Sequence, residues 1–151
     1  MDIKIKKSDL VNKHILAIDY GRKFTGLATF KVGNDPYPLC YGRVAFTDDT
    51  KLVSDLVEII ENEFIEIVVL GIPFFTDGKE STMTKTVKAF GVLLENTIKL
   101  PVFLIDETLT TFEAEDRMKN DPKYNFKVDL KKIDELSAAI ILEQFLKNSS
   151  D

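Results

Sequence analysis

HILAIDYGRKFTGLATFK, residues 14–31, is the stretch whose reading decides the fold. Residues 14–20 are short, apolar and β-prone, and residues 26–31 (GLATFK) repeat that character after a tight glycine-containing connection, which predicts two paired strands. Asp19 closes the first of them, although the strand is otherwise apolar. A carboxylate is rarely buried unless it is paired or bound to a metal. At the end of a central strand it faces the crevice where ligands of α/β sheets gather. Gly21 and Gly26 flank it and allow a sharp turn or a close backbone approach. Read locally, the same Asp19 equally well caps the turn.

Working outward, residues 39–46 (LCYGRVAF) read as a third strand after the Asn34-Asp35-Pro36 turn signal, which completes an antiparallel meander. Residues 51–64 place Leu52, Leu56, Ile59, Ile60 and Phe64 near helical spacing, with N-cap candidates from Thr47 to Thr50. Residues 66–72 (EIVVLGI) are almost continuously apolar, as in a strand covered on both faces. Gly71, Pro73 and Asp77-Gly78 then break the chain. A helix is expected at about 80–98, a buried strand at 101–105, a helix at 111–119, a loop at 120–129 and a last helix at 131–146. With no repeat or linker, the expectation is one domain over residues 1–151. Residues 1–12 are read as an N-terminal extension and 147–151 as a C-terminal tail. A meander followed by β-α-β crossovers implies an α/β fold with a mixed sheet and helices on both faces.

Bulk properties narrow the function classes. Hydrophobic residues make up 44% and charged residues 30% of the chain, an ordinary balance for a water-soluble protein. No apolar run approaches the roughly 18 residues of a membrane helix, so no membrane partner is expected. MDIKIKKSDL has no apolar core or small-residue cleavage site, so it does not read as a signal peptide. The single cysteine, Cys40, precludes an internal disulfide and fits a reducing cytoplasm, the expected location. The net charge of -5 argues mildly against non-specific coating of nucleic acid. Local basic groups exist nonetheless: Lys4/Lys6/Lys7, Arg22/Lys23, Lys79/Lys85/Lys88 and Lys127/Lys131/Lys132.

Two more acidic positions stand out. Asp106 and Glu107 follow the strand PVFLI, and adjacent strand residues point to opposite faces, so spacing does not choose between them. Thr110 or Thr111 could cap the helix that follows. Asp134 shares a helical stripe with Ala138, Ile141 and Phe145, and the small Ser137, Ala138 and Ala139 would let that helix lie close to the sheet. Two acids at strand ends and one on a helix beside the sheet could converge on one point. Oxygen-only ligands suit Mg²⁺ or Mn²⁺. The sole histidine, His14, opens a strand and reads as structural; Cys40 lacks partners for a zinc site. Gly21 and Gly26 have P-loop spacing, but Leu27-Ala28 follow where Lys-Ser/Thr is required. The glycine-rich first hairpin also resembles the phosphate loop of actin-like ATPases, which need two such domains, and this chain has room for one.

Together, AIDYGRKFTGLA, VVLGIPFFTDG, DETLTT with Glu113-Ala114, and DELSAAIILEQFL resemble, in order and spacing, the YqgF family of RuvC-like nucleases over about residues 14–146. The resemblance implies an RNase H-like five-stranded sheet of order 3-2-1-4-5 with the second strand antiparallel. It implies that Asp19, Glu107 and Asp134 are the catalytic, metal-holding carboxylates, and it chooses Glu107 over Asp106. The metal expected is Mg²⁺ or Mn²⁺. Lys23, then Arg22, is expected to face a substrate phosphate, and Thr110 and Thr111 to orient Glu107 at the substrate site. Two departures stand out. Thr108 occupies the place of the family's arginine after the acid pair, and Gly71 the place where RuvC-type resolvases carry a glutamate, leaving Glu107 as its replacement.

The implied activity is metal-dependent phosphodiester hydrolysis, with nucleic acid as the partner. Two substrates follow from the family: the 5′ end of precursor 16S ribosomal RNA and the branched DNA of a Holliday junction. Small size, acidic charge and the missing strand-four glutamate tilt the reading toward RNA. The non-enzymatic alternative is an RNA- or protein-binding module on the same fold, against which the three retained acids argue. A monomer or a homodimer is compatible with the sequence.

Overall fold

The computed structural model describes residues 5–149. Residues 1–4 of the expected extension and 150–151 of the expected tail lie outside the described residues. The elements run β1 (His14–Asp19), β2 (Phe24–Lys31), β3 (Leu39–Ala45), α1 (Asp49–Asn62), β4 (Ile67–Ile72), α2 (Thr82–Ile98), β5 (Val102–Asp106), α3 (Thr110–Lys119) and α4 (Ile133–Lys147). One-turn 3-10 helices at Lys7–Leu10 and Pro122–Tyr124 join them; the second lies inside the expected loop.

The five strands form one sheet in the order β3-β2-β1-β4-β5. β1 pairs antiparallel with β2, and β2 with β3, as the meander requires. β4 pairs parallel with β1 and with β5, as the crossovers require. The mixed sheet of order 3-2-1-4-5 is therefore the observed one. Helix starts follow local chemistry: the Asp48 carboxylate caps α1 by accepting from the Lys51 N–H at 2.8 Å, and Ser81 and Thr84 form a capping box on α2.

Each face of the sheet carries its own core. On one, Leu16 and Ile18 of β1 and Val68, Leu70 and Ile72 of β4 pack against Leu52 and Leu56 of α1 and Val87, Phe90 and Leu94 of α2. On the other, Ile15, Ala17, Ala28, Ile67 and Val69 pack against Ala138, Ile141, Leu142 and Phe145 of α4. Leu10, in the expected extension, is buried in this second core. α3 lies beside α4, tied to it by Arg117, whose guanidinium donates to the Glu143 carboxylate at 2.7 and 2.9 Å.

Strand side chains alternate between faces, so this packing dictates where the polar residues go. Ile15 and Ala17 face α4, and Asp19 follows them. Phe103 and Ile105 belong to the α4 core while Val102 and Leu104 pack against the other. Glu107, which extends the β5 ladder by donating its N–H to the Ile72 carbonyl at 2.9 Å, therefore falls on the α4 face and Asp106 on the opposite one. Gly26 pairs with Asp19 on one side and Arg43 on the other, and Gly71 lies between Val69 and the strand end on the same face.

The two glycines set how closely α4 approaches. A Cβ on Gly26 would lie 1.9 Å from the backbone oxygen of Asp134, and one on Gly71 would lie 2.5 Å from Ile141 Cδ1 and 3.0 Å from the Glu107 carboxyl. The first turn of α4 thus rests directly on the backbone of β2. Gly26→Ala has no flexible side chain to push aside, so it should destabilise the protein by about 1–3 kcal/mol, the range for overpacking a tight interior. Chemical denaturation of the purified variant checks this; a shift under about 0.5 kcal/mol, the usual size for a surface change, would contradict the close approach.

Candidate metal-binding carboxylate site

The strand ends and α4 bring three carboxyl groups to one face of the sheet. The carboxyl groups of Asp19 and Glu107 lie side by side, near enough that each alters the other's acidity. Two carboxyls so placed can hydrogen-bond to each other only when one keeps its proton. Burial pushes Asp19 up to about 6, with the Asp134 charge adding to the rise and the Glu107 hydrogen bond opposing it. Burial also drives Glu107 up, to about 10, helped by the Asp19 charge, their shared hydrogen bond and the Asp106 charge. Glu107 lies over Gly71, in the space a side chain at that position would need.

Asp134 stands next to this pair and is held differently. It is in the first turn of α4, where the helix dipole favours negative charge. Burial pushes the Asp134 carboxyl above the usual carboxylate range, and the neighbouring Arg43 guanidinium opposes that rise. Arg43 Nη1 is 3.7 Å from the Asp134 carboxylate, and the guanidinium lies 3.6 Å above the centre of the Phe24 ring. Of the three acids, then, two are in contact and the third faces a cation. Among the described residues, no three His, Cys, Asp or Glu side chains are close enough to hold one metal ion.

Beside Asp134 opens a hollow of about 490 Å³, bordered by Arg22, Lys23, Phe24, Arg43 and Lys131. The two basic residues expected to face substrate, Lys23 and Arg22, are both exposed there. Thr110 and Thr111 are not part of it. Thr110 is 4% exposed, and its backbone N–H donates to the Glu107 carbonyl at 2.9 Å; neither threonine hydroxyl is hydrogen-bonded to the Glu107 carboxyl among the described residues. The expectation that Thr110 or Thr111 caps α3 is also overturned, because the N-cap is Leu109 in a left-handed conformation with φ 72° and no side-chain bond. The cause is the turn before it. The Asp106 carboxylate accepts from the Thr108 N–H at 2.8 Å and from its hydroxyl at 2.5 Å, which tightens the chain and makes Thr110 the first helical residue. Thr108, where the family resemblance leads one to expect arginine, is thereby committed to Asp106.

Sequence reasoning missed Arg43. It lies within LCYGRVAF, and an arginine in a β-prone apolar run was the available signal. Its position opposite Gly26 in the sheet register is what gives it meaning.

The raised acids fix the sign of a pH effect. Neutral carboxyls are favoured in the folded protein over the ordinary range near 4 of an unfolded chain. Their stabilising contribution is therefore complete below about pH 4 and is lost as pH rises through the folded value of Asp19, about 6, and onward toward that of Glu107, about 10. In EDTA, the denaturation midpoint should fall steadily over that window, and Asp19→Asn should flatten the slope. A midpoint that stays level or climbs would show that the two acids do not share a proton.

A family model described as "RuvX: Holliday junction resolvase" matches residues 13–148. A protein of Maridesulfovibrio salexigens named "Putative pre-16S rRNA nuclease" is 36% identical over 135 residues, spanning 87% of this chain and 96% of its own. One of the same name from Dictyoglomus thermophilum is 34% identical over 140 residues, spanning 90% and 96%. Among solved structures, Thermus thermophilus RuvC in complex with Holliday junction substrate superimposes with a TM-score of 0.59 at 13% identity, covering 89% of this chain and 95% of that one. The last is a likeness of fold. With nearly the whole length matched by the family model and by relatives above 30% identity, this chain is a member of the RuvX family.

Proposed function

We propose that this protein is a divalent-metal-dependent nuclease that trims the 5′ end of precursor 16S ribosomal RNA in the cytoplasm. The observation that carries the reading is the pairing of opposites on the α4 face: a half-buried acid pair with a third carboxylate beside it, next to a hollow bordered by cations. A protein of net charge -5 has little general affinity for a polyanion, so a local concentration of cations next to acids suits a site that both binds and cuts a phosphodiester. The names of the relatives support this substrate.

The donor chemistry fits Mg²⁺ or Mn²⁺. Asp19 and Glu107 are oxygen donors already in contact, sharing a proton that a divalent cation would replace, and Asp134 completes an all-oxygen set once it turns from Arg43. Bound divalent ions would supply an activated water and stabilise the leaving oxygen of an in-line displacement. The protein's own residues do the rest. Asp19 and Glu107 are held rigidly by paired strand ends, Asp134 by a helix seated on Gly26, and Lys23 and Arg22 present positive charge to the substrate backbone. Partial burial of the acid pair limits the competition of bulk water for the carboxylates.

Holliday-junction cleavage is the second reading, favoured by the description of the family model. Against it stands Gly71, at the place where RuvC-type resolvases carry a glutamate, although the Glu107 carboxyl fills the adjoining space. A non-catalytic binding module on the same fold is the third. The protein, as monomer or homodimer, is to be offered a precursor rRNA 5′ leader and a four-way DNA junction, each with Mg²⁺ or Mn²⁺. Cleavage of the leader alone supports the proposal, and cleavage of the junction alone replaces it. Cleavage of neither leaves the binding module. EDTA should abolish the reaction. Asp19→Asn, Glu107→Gln and Asp134→Asn should each lower the rate on the order of a thousandfold or more while circular dichroism stays unchanged. Full activity in any one of them removes that residue from the site.

A further inference from the structure

Arg43 is the most constrained cation in the hollow and the only one there that is ion-paired among the described residues. Its side chain is 26% exposed, and the Phe24 ring beneath it fixes the plane of the guanidinium. The group has five N–H donors. One donates to the Leu130 carbonyl at 3.3 Å, and the contact to Asp134 is an ion pair at 3.7 Å, longer than a hydrogen bond. Most of its donor capacity is therefore uncommitted. Arg22, Lys23 and Lys131 border the same hollow and have no carboxylate within 4.0 Å among the described residues. One small cavity thus gathers four cations around a single acid, in an acidic protein.

Such a site has a surplus of positive charge that calls for an anion, and guanidinium matches phosphate oxygens in pairs. It also places Asp134 under two competing claims. While Arg43 neutralises it, Asp134 is a poorer ligand for a divalent ion; a phosphate drawing Arg43 toward itself would release it.

Resting on the nuclease reading, we infer that Arg43 is a positioning residue that exchanges Asp134 for a backbone phosphate of the bound nucleic acid, so that substrate binding readies Asp134 for the divalent ion. The exchange couples two binding events, and the coupling must be reciprocal: each ligand strengthens the other by the same factor. In the unliganded protein Arg43 acts as a tethered cation in place of the metal. The arrangement would keep the acids from loading fully with metal until a polyanion fills the hollow.

Binding measurements test this without turnover. In EDTA, the affinity for a 5′ leader RNA and for a four-way DNA junction is followed against salt concentration for the wild type, Arg43→Gln and Arg43→Lys. Loss of one phosphate contact should lower the slope of log affinity on log salt by about one in Arg43→Gln, and Arg43→Lys should retain it. Whichever of the two nucleic acids shows the change is the source of the phosphate. In parallel, Ca²⁺ affinity of the wild type is measured by calorimetry with and without that nucleic acid. It should rise roughly fivefold or more when the nucleic acid is present. Arg43→Gln should bind Ca²⁺ more tightly than the wild type in the absence of nucleic acid and gain less from its addition. An unchanged salt slope in Arg43→Gln overturns the inference while leaving the nuclease reading intact. Should Arg43→Gln not fold, the wild-type Ca²⁺ titration decides alone, and absence of coupling there overturns the inference. A wild type that binds neither nucleic acid overturns both.

Discussion

The structure depends on one close contact, the seating of the first turn of α4 on the backbone of β2 at Gly26. Helices usually stand off a sheet by the depth of two side chains. Here a hydrogen atom is all that separates the strand from the Asp134 carbonyl. The small residues Ser137, Ala138 and Ala139 continue the close approach along the helix, and Ile141, Leu142 and Phe145 anchor its far end in the core. A carboxylate on the first turn of a helix would ordinarily be a surface group. Seated this way, Asp134 is carried over the sheet to the edge of the strand ends where Asp19 and Glu107 lie.

Charge balance follows from that geometry. Two acids in contact are tolerated because one retains a proton, and burial makes that proton hard to remove. The third is tolerated because Arg43 faces it, and Arg43 is steered by the ring of Phe24. Both compensations are ones that a divalent ion and a polyanion would displace. The stability of this region and its chemistry are thus two aspects of the same electrostatic arrangement. The outlying cations at Arg22, Lys23 and Lys131 stay exposed and carry no comparable constraint.

Much of the architecture was legible in the sequence because burial leaves a periodic trace. The continuous apolar run of β4 marked a strand covered on both faces, and all six of its residues are buried. The stripe from Asp134 through Ala138 and Ile141 to Phe145 marked the side of α4 that meets the sheet. Other points left no such trace. The start of α3 moved because Asp106 and Thr108 bond to each other, a local competition that threonine-rich DETLTT does not announce. Arg43 was passed over because its importance comes from Gly26 beside it in the register, across a connection of many residues.

The sequence by itself determined the strand and helix order, the three acids as candidates and, through its motifs, the family. It could do so because local propensity and hydrophobic period are properties of neighbours along the chain. Which acid of Asp106 and Glu107 turns inward was decided physically by the packing of β5 between two cores, since alternation needs one fixed face before it can assign the rest. That Asp19 meets Glu107 while Asp134 meets Arg43 was decided only in three dimensions. Contacts between groups so far apart in sequence depend on register, twist and the depth at which a helix seats, and these are set by the whole packed structure.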